Sequence, residues 1–304
     1  MIKYLQHGEI NKKKWDDCIN LSPLGLVYAL SWYLDAVHPG WEALVENDYE
    51  GVFPLTSGKK FGINYLYQPF FNQKLGAFSR KPCEYININP YLEALGKRFR
   101  YVDIKLNRAI RITVKDFQVN MNINIELDLS DDLETLRSNY SENAIQNLRK
   151  FNGENIVLNE EKDSDLLIRM FRSNMGKTLP KIKDIHYSGL KKVMDTAFDK
   201  RTGRMFVAKN QKDRFLAGAF FITCYKRAVF LFSANTEEGR EKRAMYGIID
   251  SFIEENAGKK LILDFEGSND KNLARFYKSF GGKVFYYPGL RINKLPRIIR
   301  WLKK

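Results

Sequence analysis

The spacing of apolar positions changes period repeatedly along the chain, and each change marks an element. Helical spacing predicts a helix over 9–20 and another over 28–37, the second from Tyr28, Leu30, Tyr33, Leu34 and Val37. Strand-like runs follow at 41–46, 51–56 and 63–68, with NDYE at 47–50 as a turn because Asn and Asp tolerate tight backbone geometry. Pro90 opens a helix over 90–98, a position where its missing N–H costs nothing. Strands are predicted over 101–106, 109–114 and 120–128. Helices then come at 130–139 and 141–150, a strand at 155–160, and helices at 163–174 and 185–199. Strands return at 204–209, 215–225 and 228–234, and a long helix over 239–256 stops before Gly258. A strand at 260–266, a helix at 270–280, a strand at 283–291 and a terminal helix complete the chain.

Two stretches follow one plan. EALVENDYEGVFPL at 42–55 and MFVAKNQKDRFLAGAF at 205–220 are each strand, polar turn, strand. An aromatic third strand follows each, NYLYQP and VFLFSA. The offset of about 160 residues suits a duplicated domain and is too long for a solenoid repeat. Mostly antiparallel strands, with helices before and between them, predict an α+β or mixed α/β fold. The expected division is 1–128 and 129–304, where strand character gives way to LSDDLE and Ser130 is the expected helix cap.

At 304 residues with 44% hydrophobic residues, the chain is long enough for two domains with their own cores. No apolar run approaches the roughly 20 residues of a membrane span. MIKYLQH at the N-terminus lacks the apolar core of a signal peptide, so the cytoplasm is the expected compartment. Cys18, Cys83 and Cys224 are odd in number and far apart, which predicts free thiols. The three histidines are scattered, and no Cys/His cluster has metal-ligand spacing, so no metal is expected. A net charge of +14 favours an anionic partner: tRNA, a nucleotide-linked precursor, CoA phosphates or an anionic membrane face. Arg149 and Lys150 could meet an acidic partner, or belong to a basic helix face that solvent alone satisfies. The segment from Arg291 on holds six basic residues and no acidic one, with Leu295, Ile298, Ile299 and Leu302 on one stripe. It could lie on an anionic membrane surface, along RNA, or against the protein's own sheet.

The richest chemistry lies in LILDFEGSN at 261–269 and NLARFYKSFGG at 272–282. Alternation predicts Leu261, Leu263 and Phe265 on one strand face and Ile262, Asp264 and Glu266 on the other. Asp264 reads first as a loop-fixing partner for a Lys or Arg. Glu266 is open between that role and general base or amine anchor. In the helix, Leu273, Phe276, Tyr277 and Phe280 have core spacing. If the hydroxyl of Tyr277 points out of the core, it can protonate a leaving thiolate or ribose oxygen. Lys278 can steady developing negative charge or hold a phosphate.

These residues resemble the last strand, loop and helix of the GCN5-related N-acetyltransferase (GNAT) fold. That family carries an Asn in this loop, here Asn269 or Asn272, and then a pattern like A-x-x-Y-x-x-x-G, here Ala274, Tyr277 and Gly281. The chain is more similar to the FemAB/FemX branch, which shows DF-x-G-S and F-K-x-x-F-G. Here these are DFEGS at 264–268 and FYKSFG at 276–281. The stretch at 51–79 resembles that branch's N-terminal sheet, and LRSNYSENAIQNLRKF at 136–151 its basic helix. The resemblance implies two GNAT-like domains in tandem, each a mostly antiparallel sheet flanked by helices. It also implies an acyl or aminoacyl transferase with Tyr277 as general acid and Glu266 as base or amine anchor. The implied acceptor is an amine, such as a cell-wall peptide precursor. Arg240, Lys242, Lys278, Asn269 and Asn272 would contact the donor.

Two departures matter. Tyr277 stands where the branch has its lysine, and Lys278 is one place later, about 100° around the helix. The GNAT pyrophosphate loop, Q/R-x-x-G-x-G/A, is here EEGREKRA at 237–244. Glu237 and Glu238 repel phosphate there, while Arg240, Lys242 and Arg243 attract it. The balance favours aminoacyl-tRNA or another carrier as donor. An acyl-CoA-dependent N-acyltransferase and a non-catalytic anion-binding module remain the alternatives.

Overall fold

A computed structural model describes residues 1–82, 86–107, 112, 117–296 and 300. Cys83, the strand expected at 109–114 and most of the basic C-terminal stripe lie outside the described residues. The chain divides into two compact units: Met1–Asn122 with Tyr286–Lys304, and Ile123–Phe285. The sequence pattern alone places the division at 128/129.

The first unit begins with β1 (Ile2–Leu5), α1 (Lys12–Leu21) and α2 (Ser31–Val37). Strands β2 (Glu42–Glu46), β3 (Gly51–Leu55), β4 (Ser57–Lys60), β5 (Ile63–Tyr67) and β6 (Phe78–Ser79) follow. Then come α3 (Asn89–Arg98) and β7 (Tyr101–Lys105). β8 (Gln118–Asp128) leads into the second unit, and β14 (Lys283–Asn293) returns from it. One small sheet runs β1-β2-β3-β6, and β4, β5, β7 and β14 neighbour one another in that order. The core of this unit gathers Phe53, Leu55, Leu66, Tyr91, Leu92, Val102 and Ile104. β4 is not predicted from the sequence, because SGKK has no apolar alternation. It exists through its hairpin with β5, closed by Phe61 and Gly62 at positive φ.

The second unit contains α4 (Leu133–Ser138), α5 (Glu142–Asn152), β9 (Ile156–Glu161), α6 (Ser164–Ser173) and α7 (Asp184–Asp199). It continues with β10 (Gly203–Asn210), β11 (Phe215–Cys224), β12 (Arg227–Asn235), α8 (Glu237–Glu241), α9 (Ala244–Asn256), β13 (Ile262–Asp264) and α10 (Lys271–Lys278). Its strands run in the order β8-β13-β12-β11-β10-β9. All neighbours are antiparallel except β12 and β13. Phe221 stacks on Phe252 of α9 at 4.0 Å between ring centroids, tying that helix to the sheet. The result is a mixed α/β fold.

Three local expectations are corrected. The cap of α4 is Asp132, whose side chain accepts from Thr135 N–H, while Ser130 turns back to Asp128. The helix expected at 239–256 is two helices, because Arg243 takes φ 61° and breaks the ladder between α8 and α9. β13 is three residues long, not seven, and Glu266 sits beyond it at φ 51°, which removes it from the strand's alternation.

Candidate active site

The site is built where β12 and β13 stop pairing. Their parallel register holds for Arg227↔Ile262, Ala228↔Leu263 and Val229↔Asp264, and ends there. Beyond it, Phe265 N–H donates to Ile125 O on β8 at 3.0 Å, while β12 continues to Asn235 along β11. The two strands therefore separate, each held by its outer neighbour. The β11–β12 register skips Leu231 just past this point, since Phe221 opposes Phe230 and Phe220 opposes Phe232. Such a bulge twists the strand and re-aims its backbone groups.

A buried polar network fixes the last paired residues. Asp264 and Glu126 share Arg227, at 2.9 and 3.0 Å, and Asn124 Nδ2 donates to both carboxylates at 2.8 and 3.0 Å. Asp264 is fully buried and Glu126 nearly so. The burial of charge is tolerated because each carboxylate is paired and hydrogen-bonded. Asp264 thus takes the loop-fixing role expected of it. Its partners lie too far off in sequence for a local pattern to reveal them.

From Asp264 the loop is laced to β8. Glu266 N–H reaches back to Asp264 Oδ1 at 3.2 Å, and Ser268 Oγ donates to Glu266 O at 2.7 Å while accepting from Ile125 N–H at 3.0 Å. Asn269 Oδ1 accepts from Ile123 N–H at 3.0 Å, so its carbonyl serves the loop–strand junction. Asp270 caps α10 by accepting from the N–H groups of Asn272 and Leu273.

This lacing directs Tyr277 into the fork. Its ring stacks on Phe265 at 4.7 Å and meets Phe230 edge-on at 6.0 Å. Phe265 and Phe230 are the first residues of the two strands past their last shared pair. Tyr277 is 4% exposed, and its hydroxyl has no hydrogen-bond partner among the described residues. Burial pushes the phenol above its usual range, with the carboxylates of Glu266 and Asp270 adding to the rise. Glu266 is half-buried as a residue, yet its Oε1 is buried without a partner among the described residues. Burial raises its carboxyl well above the ordinary value. A phenol that keeps its proton and a carboxyl with raised proton affinity share one neighbourhood. That combination can take a proton from an attacking group and give one to a leaving group.

The other expected residues lie elsewhere. Lys278 follows Tyr277 on α10 but faces solvent, as the 100° step requires. With Asn272 it lines a cavity of about 500 Å³ beside α5 and α9. Lys242 is ion-paired with Glu154, and Arg240 is exposed, with one guanidinium N–H on Asn235 O at 3.3 Å. The first turn of α8 carries Glu237 and Glu238, and Thr236 caps it by accepting from Gly239 N–H. A Cβ at Gly239 would fall 2.1 Å from Leu216 O, so glycine here serves close packing of α8 on β11. Among the described residues no His/Cys/Asp/Glu group is arranged to hold a metal, and no helix is long and apolar enough to cross a membrane.

No family model and no curated protein matches the sequence. Solved structures do match the fold. The chain is similar to FemX over 99% of both chains, with a TM-score of 0.65 and 12% identity. It is similar to L-PGS from Bacillus licheniformis with a TM-score of 0.57 and 8% identity, covering 95% of this chain and 93% of the other. The C-terminal domain of a protein titled a putative lysylphosphatidylglycerol synthetase, from Agrobacterium fabrum, matches with a TM-score of 0.54 and 8% identity at the same coverage.

Proposed function

We propose, from a FemX-like fold whose central strands part around a tyrosine, that the protein is an acyl or aminoacyl transferase acting on an amine. One observation carries this reading. Tyr277 lies between Phe230 and Phe265, one on each diverging strand, with the unpartnered carboxyl oxygen of Glu266 nearby.

In the proposed reaction, an amine nitrogen attacks the donor's acyl carbon in the fork. Glu266 takes the proton that the amine sheds. Backbone N–H groups on the β13-facing edge of β12, beyond the last shared pair at Val229, hold the developing oxyanion. The carbonyl then re-forms, the ester C–O bond breaks, and Tyr277 protonates the departing oxygen. The raised proton affinity of the phenol suits it to a strongly basic leaving group such as a ribose oxygen.

The donor in this reading is aminoacyl-tRNA. The acidic first turn of α8 and the engagement of Lys242 by Glu154 disfavour a CoA pyrophosphate at that place. Arg240, exposed and only partly engaged, remains a candidate donor contact. The sequence resemblance supports a cell-wall peptide precursor as acceptor, and two tandem GNAT-like domains as the organisation.

The test is transfer of labelled amino acids from a charged tRNA pool to a panel of amines, run beside labelled acetyl-CoA. Product from tRNA alone supports the reading. Product from acetyl-CoA alone makes the protein an acyl-CoA N-acyltransferase.

A further inference from the structure

The hairpin of β4 and β5 ends in a residue that folding does not explain. Phe61 and Gly62 form its two-residue tip, and Phe61 takes φ 51°. Such a tip, with positive φ at both positions, is the place of Asn, Asp or Gly, which enter the left-handed region at little cost. A bulky side chain there is strained. Phe61 gains no packing to offset the strain, since it is 89% exposed.

The base of the hairpin is firmly held. Tyr65 covers Gly58, where a Cβ would fall 2.4 Å from the tyrosine ring, and Thr56 Oγ1 donates to Tyr67 O. The tip carries one sign of charge. Lys59 and Lys60 are exposed, and neither has a carboxylate partner among the described residues. Lys60 Nζ lies 5.5 Å from the centroid of the Phe61 ring. From Gly51 to Pro82 the sequence contains no Asp or Glu. β4 is the outermost strand of its sheet, and lysine on an outer strand is ordinary protection against stray pairing. A phenylalanine at its tip has no such use.

A strained, exposed aromatic points to a partner. That partner must bury a ring and offer negative charge to two ammonium groups. A Cβ at Gly62 would meet nothing within 4 Å, so the tip is open and convex. A folded protein or an RNA would have to supply a groove of matching shape around it. A bilayer interface accepts it as it stands: the ring enters the boundary between headgroups and acyl chains, and the lysines stay at the phosphates. The net charge of +14 adds long-range attraction to an anionic surface.

We propose that the β4–β5 hairpin docks on an anionic lipid bilayer, with the Phe61 ring at the interface and Lys59 and Lys60 on lipid phosphates. One ring and two cations give reversible attachment and not a permanent anchor. The proposal is independent of the Tyr277–Glu266 chemistry.

The experiment co-sediments the full chain with phosphatidylcholine vesicles, with and without phosphatidylglycerol, at low and physiological salt. The wild type should bind the anionic vesicles and lose affinity as salt rises. Phe61→Asn should weaken binding on the order of tenfold. It should melt at the wild-type temperature or above, because Asn suits the turn. Phe61→Trp should bind at least as tightly as the wild type, since an indole favours the interface. Lys59→Gln/Lys60→Gln should weaken binding on the order of tenfold. Lys212→Gln/Lys226→Gln removes the same charge from two exposed turn positions of the second unit and should change little. Unchanged binding by Phe61→Asn, or equal losses in the two lysine pairs, would overturn the proposal. So would a clearly lower melting temperature for Phe61→Asn, which would show that folding itself keeps the phenylalanine. Phe61-dependent binding of single-stranded RNA without binding to vesicles would give the tip to nucleic acid and overturn the assignment to lipid.

Discussion

Tyr277 stacks on Phe265 with ring planes 14° from parallel, and this contact holds the phenol at the point where β12 and β13 part. The ring is fixed by packing, while the hydroxyl has no partner among the described residues. Packing and chemistry are therefore separable at this residue. Tyr277→Phe keeps the stack and removes only a hydroxyl with no partner among the described residues. Its unfolding free energy should match or slightly exceed that of the wild type, within about 1 kcal/mol, because no hydrogen bond is lost. Its transfer rate should fall by about 10²–10⁴. Urea melts and single-turnover rates measured side by side check both halves.

Glu266 should leave a signature in the pH dependence of stability. Its folded pKa is raised by burial, so the folded state holds its proton over a pH range in which the unfolded state has lost it. The favourable contribution is full below the unfolded value of about 4.3 and is lost as pH rises through the folded pKa. Glu266→Gln has no proton to lose. The variant's stability relative to the wild type should therefore increase with pH across that window, and its transfer activity should drop. Denaturant melts at a series of pH values read this directly; parallel stability curves for the two proteins would contradict it.

Arg227 pairs with two buried carboxylates, Glu126 and Asp264. Arg227→Met removes this cation from both, and should cost about 3–5 kcal/mol. Adding Glu126→Gln and Asp264→Asn should recover most of that loss, since the buried charges are then gone. A urea-denaturation cycle over these variants gives the coupling. Additive effects would mean that the three residues do not act as one network.

Gly239→Ala should destabilise the protein by about 1–3 kcal/mol, because its methyl must displace backbone at Leu216 and not a yielding side chain. Thermal melts suffice to measure it.

Much of this arrangement is legible in the sequence alone. The strand–loop–helix around Asp264, Glu266 and Tyr277 announces itself by apolar alternation, a polar loop and helical spacing, all local signals. The mixed α/β class follows from the order of the elements. Other features stay hidden for physical reasons. The Arg227–Glu126–Asp264 network joins positions far apart in sequence, with no periodicity to betray it. Alternation assigns Glu266 to a strand face, but its left-handed backbone carries it off that face. The break at Arg243 interrupts an apolar pattern that continues across it, so only the backbone reveals two helices.

Transferase chemistry in the fork is examined most directly by a crystal structure with a non-hydrolysable amide analogue of an aminoacylated RNA 3′ end. The expected result is the analogue's carbonyl in the fork beyond Val229 and Asp264, with the Tyr277 hydroxyl in hydrogen-bond reach of the ribose-linked atom. A structure in which β12 and β13 are bonded along their whole length, with the analogue bound elsewhere, would contradict it.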